Sequence, residues 1–158
     1  MNILASNGQP GQIVKQGDKV FYWVYWDGAA PTALAQGQAV QFVPYKYATG
    51  KIGYKLQTVA AQAAITPFQG VACDGLSAAG HIWVQVEGTC ELAEVSKSDS
   101  LDAGGESLEL IANGTTLIYD ADTLSAKTVA IILETNTGTS GSATKTVYLL
   151  GRGIVSAT

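Results

Sequence analysis

Residues 19–26, KVFYWVYW, limit the possible folds more than any other segment. After Lys19 every position is β-branched or aromatic. Such side chains lose rotamer freedom in a helix and fit a pleated surface, so the segment predicts a strand. Side chains alternate between faces along a strand. Here both faces are apolar: Phe21, Trp23 and Tyr25 on one, Tyr22, Val24 and Trp26 on the other. A strand of this kind lies centrally between two layers, or holds one face against a partner. The turn residues Asp27 and Gly28 end it.

Strand-like patterning continues along the chain. Gln38 to Val43 alternates, with Val40 and Phe42 on one face, and PYKYATGKIGYKLQTV reads as a hairpin turning at Ala48-Thr49-Gly50-Lys51. Its arms carry Tyr45, Tyr47 and Tyr54 with Lys46, Lys51 and Lys55. Gln69 to Cys73 and His81 to Glu87 flank a turn at Ser77-Ala78-Ala79-Gly80, and the second of them gives the cleanest alternation. Further strands are expected at 90–95, 106–111, 115–119, 127–134 and 144–155, with the Gly/Ser/Thr-rich TNTGTSGSATK as a mobile loop tip. Residues 57–65, QTVAAQAAI, are the one stretch that suits a helix, of one to two turns before Pro67.

The pattern repeats in a degenerate form. Residues 33–88 read as small residues, a Gly, an alternating strand, a hairpin, a Val-Ala strand, a turn and a final alternating strand ending in Gly; residues 100–153 read the same way. The expected fold is therefore all-β, a compact sandwich or barrel of two similar β-units closing one core. Residues 18–158 form the single domain. Residues 1–17, with Asn7-Gly8-Gln9-Pro10-Gly11, form an extended N-terminal arm that either adds a strand to a neighbour or trails as a tail.

Composition narrows the function. Charged residues are only 14 % of the 158, against about 25 % in ordinary globular domains, and 18 Gly and 22 Ala take their place. No apolar run approaches the roughly 20 residues of a spanning helix. The charge is asymmetric: residues 1–60 hold five lysines against Asp18 and Asp27, whereas residues 61–125 hold ten acids against Lys97 alone. Either the acids decorate a solvated face, or oppositely charged faces meet head to tail between copies. A net charge of −4 argues against nucleic-acid binding, which needs clustered Lys and Arg.

No catalytic inventory is present. His81 is the single histidine, with Ser77, Asp74 and Cys90 near it in sequence but no nucleophile elbow, and it reads as a structural residue. Cys73 and Cys90 lack metal-ligand or redox spacing and read as buried, reduced thiols of a chain made in the cytoplasm, since residues 1–17 lack the apolar stretch of a signal peptide. Asp120 and Asp122 resemble half of a calcium loop without its Gly and later Glu, and Asn113-Gly114-Thr115 reads as a turn. Neither a cofactor nor a metal is expected.

The segment FQGVACDGLSAAGHIWVQVEGTC (68–90) resembles the capsid decoration, or cement, proteins of tailed double-stranded-DNA phages. Their pattern joins a G-V-A element, an acidic or polar residue, a small Ala/Gly-rich turn and an alternating V-x-V-x-G strand. Gly70-Val71-Ala72, Ala78-Ala79-Gly80 and Trp83-Val84-Gln85-Val86-Glu87-Gly88 supply these elements here. Residues 128–153 echo them with a longer turn and no Gly before Val129. The resemblance implies a small non-enzymatic β-protein, often trimeric, that binds the outside of the mature capsid and braces it.

The expectation is thus a virion structural protein on the capsid surface, with the major capsid protein and its own copies, as a homotrimer, for partners, and no nucleic acid or membrane. Trp23, Tyr25, Trp26, Tyr45 and Tyr47 are the expected interface anchors, because Tyr and Trp left at a surface serve that role. The alternatives are a carbohydrate-binding head-fibre or tail module, in which the same aromatics stack sugars, and another phage structural subunit of the tail or baseplate.

Overall fold

The computed structural model describes residues 8–9, 11–28, 33–57, 69–96, 104–110, 115–119, 128–136 and 141–151. Ten strands account for the regular structure: β1 (Ile13–Gln16), β2 (Lys19–Trp26), β3 (Ala39–Lys46), β4 (Ile52–Gln57), β5 (Gln69–Ala72), β6 (Gly80–Ser96), β7 (Ser107–Leu110), β8 (Leu117–Tyr119), β9 (Ala130–Ile132) and β10 (Ser142–Leu150). No helix occurs among the described residues. The helical reading of 57–65 meets the end of β4 at Gln57, and its remainder lies outside them. So do residues 1–7 of the arm, Asn113-Gly114, Asp120, Asp122 and residues 137–140 of the last long turn.

The strands close into two rings. β2, β4, β3, β5 and β6 pair in that order, and β2 pairs again with β6; β6, β10, β9, β7 and β8 do likewise, and β8 returns to β6. The rings share one topology. In each, the first and third strands in chain order pair in parallel (Tyr25↔Lys55 and Val95↔Leu117), and every other pairing is antiparallel. The repeat read at 33–88 and 100–153 falls on them one after the other. Closure leaves few strand edges unpaired.

One strand links the rings. β6 runs 17 residues, where the sequence suggested two strands at 81–87 and 90–95. The break expected near Gly88 is absent because Gly88 adopts φ +87 and lets the strand continue as an irregularity. A Cβ there would lie 2.1 Å from the Asp18 carbonyl oxygen, so the β1–β2 turn packs directly on this glycine. The Thr89 N–H donates to the Asp18 carboxylate at 2.8 Å, fastening the same turn. That hydrogen bond holds the Asp18 carboxyl below its ordinary value.

Each ring has its own apolar core. The first contains Tyr22, Val24 and Trp26 of β2, Ile82, Val84 and Val86 of β6, Val40, Leu56 and Ala72. The second contains Cys90, Ala93 and Val95 of β6 with Leu108, Leu117, Ala130, Ile132, Val147 and Leu149. Inward residues of β6 change from even to odd between Cys90 and Ala93. There two residues of β6, Glu91 and Leu92, face one of β10, Thr146 (between Ala93↔Lys145 and Cys90↔Val147), and the extra residue turns the following side chains to the other face. Ala39 and Val71 point out of the first ring and pack into the second core, which joins the two rings. Each fully buried aliphatic side chain is worth about 1.5–3 kcal/mol.

At the second ring's end the strands are shorter than the alternation suggests. β9 spans 130–132 within the expected 127–134, and β10 ends at Leu150, with residues 152–155 outside the described part. Of the arm, Ile13–Gln16 form β1 against β2 of the same chain (Ile13↔Tyr22, Gln16↔Lys19).

Candidate functional site

The odd face of β2 points out of the first ring, and other aromatics surround it. Register sets Trp23 opposite Trp83 and Tyr25 opposite His81. Tyr45 comes from β3, across the single β4 strand, and Tyr47 from just beyond it. The result is a continuous aromatic layer. Trp23 lies 4.9 Å from Trp83 and stacks on His81 at 5.9 Å, between ring centroids. Tyr25 stacks on Tyr45 at 5.8 Å and tilts against His81 at 5.2 Å. Tyr47 meets Tyr45 edge-on at 5.1 Å and stacks on His81 at 5.8 Å. These separations lie in the attractive range for aromatic pairs.

Glycines make room for the layer. A Cβ on Gly53 of β4 would sit 2.5 Å from the Tyr47 ring, and one on Gly8 would sit 2.6 Å from Cγ of Trp23. Gly8 therefore lies on the indole and covers part of the layer. The Trp23 N–H donates to the Gln12 carbonyl at 2.9 Å, which carries the β1 ladder one residue further. The Tyr47 hydroxyl donates to the Tyr54 carbonyl at 3.0 Å. Burial, with Tyr45 beside it, raises the Tyr47 phenol above its ordinary value.

The expected anchors part company here. Trp23, Tyr25 and Tyr45 are half-buried and together on the outside. Tyr47 joins them but is 9 % exposed. Trp26 does not join them. It is 1 % exposed in the first core, because its even position turns it inward with Tyr22 and Val24, so it offers no surface to a partner. The sequence reading missed Phe21, His81 and Trp83 as members of the layer. The pairing of β2 with β6 brings the last two there, and no local pattern announces it.

His81 is a ring among rings. Its Nε2 is buried and has no hydrogen-bond partner among the described residues, and burial lowers its pKa. Its sequence neighbours form no triad with it. Ser77 and Asp74 are exposed, the Asp74 carboxylate accepts from the Gly75 N–H at 2.8 Å, and Cys90 lies in the second core. Cys73 and Cys90 are both buried and unpaired, and burial pushes the Cys73 thiol up to about 12. No group of three His, Cys, Asp or Glu able to hold a metal occurs among the described residues, and no helix there is long and apolar enough to cross a membrane. No family model, curated protein or solved structure gives a significant match to the chain.

One charged pair borders the layer. Lys55, opposite Tyr25 on β4, forms an ion pair with Asp27, and its Nζ lies 6.0 Å from the Tyr45 ring centroid. The Asp27 hydrogen bond raises the Lys55 pKa above its ordinary value. Flat ring faces beside a hydrogen-bonding pair can grip a partner surface, a peptide or a sugar.

Proposed function

We propose that this chain is a non-enzymatic structural protein that binds the outer surface of a phage capsid as a homotrimer and stabilises the mature head. The observation that carries the reading is the position of Tyr25 and Tyr45, stacked at 5.8 Å and half-buried on the outside of a closed ring. Aromatic side chains held rigid in advance anchor interfaces with little loss of conformational freedom on docking. The low charge and the resemblance of residues 68–90 to decoration proteins support the same reading. Its partners are then the major capsid protein and its own copies, and its place is the virion surface after synthesis in the host cytoplasm. Many copies and threefold valency turn modest contacts into firm attachment.

The test is co-sedimentation with expanded, DNA-free heads, comparing the wild-type chain with the double variant Tyr25→Ala, Tyr45→Ala. Wild-type protein is expected to pellet with heads and the variant to remain in solution. A wild-type chain that stays in solution with every head preparation overturns the reading.

A second reading is favoured by the Asp27–Lys55 pair beside Tyr45: a carbohydrate-binding head-fibre or tail module. Saturable quenching of Trp23 fluorescence by an oligosaccharide, with no affinity for heads, selects it.

A further inference from the structure

The large hydrophobic side chains that remain exposed among the described residues fall into two pairs at different rings. Ile52 (78 %) and Ile13 (55 %) belong to the first; Leu133 (48 %) and Tyr148 (38 %) belong to the second. Ile52 opens β4, and Gly11, two residues before Ile13, packs on the Ile52 carbonyl oxygen, so both isoleucines occupy one end of the first ring. Leu133 and Tyr148 are diagonal neighbours on the outer face of β9 and β10. Tyr148 is opposite Ile131, and the Leu133 N–H donates to the Thr146 carbonyl at 3.0 Å.

The repeat shows what this fold does with such a face. By register, Ile131, Leu133 and Tyr148 take the places that Val71, Cys73 and Gln85 hold in the first ring. All three residues of the first ring are buried, at 1 %, 8 % and 4 %, Val71 against the second core and Cys73 against Phe21 and Trp83. Among the described residues no comparable cover lies on the equivalent face of the second ring, where Leu133 and Tyr148 stay exposed.

The flanking charges name the occupant. The isoleucine pair carries lysines: Lys46 lies opposite Ile52, Lys51 precedes it, and Lys15 shares the face of Ile13 on β1. The Leu133–Tyr148 face carries glutamates: Glu134 follows Leu133, and Glu109 lies on the outward side of β7, with Lys145 held by the Glu134 carboxylate and the Thr135 carbonyl. An apolar pair rimmed by three lysines and an apolar pair whose rim holds two glutamates to one lysine are complementary, and each chain owns one of each.

The geometry points to a head-to-tail contact between copies of this chain, in which the Ile13–Ile52 end of one protomer seats on the Leu133–Tyr148 face of the next. This deepens the oligomeric part of the proposed function by naming the two surfaces. Such a contact is heterologous: the surfaces differ, and each protomer keeps one free until a ring closes.

That asymmetry supplies the test. One double variant, Leu133→Thr with Tyr148→Thr, removes only the face; another, Ile13→Thr with Ile52→Thr, removes only the end. Threonine keeps strand propensity and the side chains replaced are exposed, so both variants are expected to fold, as checked by far-ultraviolet circular dichroism. In sedimentation, wild-type protein is expected to gain mass with concentration, while each variant stays at 16.4 kDa. An equimolar mixture should stop at twice that mass, because it holds one intact end and one intact face. A wild-type chain monomeric at its highest soluble concentration, a variant that assembles like wild type, or a mixture that stays monomeric each overturns the inference. Capsid binding without self-association overturns this inference and leaves the capsid-binding part of the proposed function standing, and self-association without capsid binding overturns the proposed function alone.

Discussion

Gly37 and Gly105 do the same work in successive rings. The Gly37 N–H donates to the Ala72 carbonyl at 2.9 Å and the Gly105 N–H to the Ile132 carbonyl at 2.7 Å. One residue on, the bonds return: Ala72 N–H to the Gln38 carbonyl, and Ile132 N–H to the Glu106 carbonyl. Both glycines are left-handed, with φ +87 and +97, as the chain needs to turn into the second strand of each ring. Their surroundings differ. A Cβ at Gly37 would lie 2.3 Å from the Leu92 carbonyl oxygen, whereas nothing lies within 4 Å at Gly105.

The two alanine variants should therefore separate. Gly105→Ala suffers only the left-handed conformation, about 1–2 kcal/mol. Gly37→Ala adds a clash with the β6 backbone and is expected to cost roughly 3 kcal/mol or more. Urea unfolding of both variants checks this, and equal midpoints would refute the close approach of Gly37 to the β6 backbone.

Trp26 and Tyr45 sit on opposite sides of the same ring wall. Trp26→Ala empties the first core and is expected to cost about 3–5 kcal/mol. Tyr45→Ala, at a half-buried outer position, is expected to cost about 1 kcal/mol. Thermal denaturation of the two variants reads the difference directly.

The thiols are shielded. Burial pushes Cys73 up to about 12 and raises Cys90 as well, so little thiolate forms near neutral pH, and both residues are buried. Iodoacetamide at pH 8 is expected to leave both unmodified in the folded chain and to label both after denaturation. Rapid labelling of Cys73 in the folded protein would show that the cover formed by Phe21 and Trp83 opens.

His81 makes stability depend on pH in a set direction. Its folded pKa lies below the ordinary 6.5, so the unfolded chain binds the proton more readily. The contribution is complete above pH 6.5 and is lost as pH falls below that value through the lowered folded one. Asp18 and Glu134, each lowered chiefly by accepting a backbone N–H, lose their contributions only further down, below the ordinary 3.8 and 4.5. Unfolding midpoints should fall from pH 6.5 downward before the carboxylates titrate, and His81→Phe should flatten that first segment. An unchanged slope in the variant rules His81 out as its source.

How much of this was legible beforehand follows from what each pattern encodes. Alternation is a local property, and it marked β3 and most of β6 because each shows one face to an apolar core, while β-branched and aromatic composition marked β2. The doubled apolarity of residues 21–26 told that β2 has a layer on both sides. It did not tell which face was the inner one, and so Trp26 was read as a surface anchor. Parity is relative, and only closure of the ring decides which parity points inward. The aromatic layer depends in the same way on pairings made across the fold, of Trp23 with Trp83 and Tyr25 with His81, between residues some sixty positions apart. The similar β-units were visible as a repeated order of Gly, strand and turn. That they share a strand was not, because continuity through Gly88 rests on a left-handed backbone held against the Asp18 turn. Local side-chain chemistry therefore determined that the fold is all-β and where most strands lie. The tertiary structure decided which faces became core, which remained surface, and that two rings would grow from one strand, since each of those outcomes depends on contacts between residues distant in the chain.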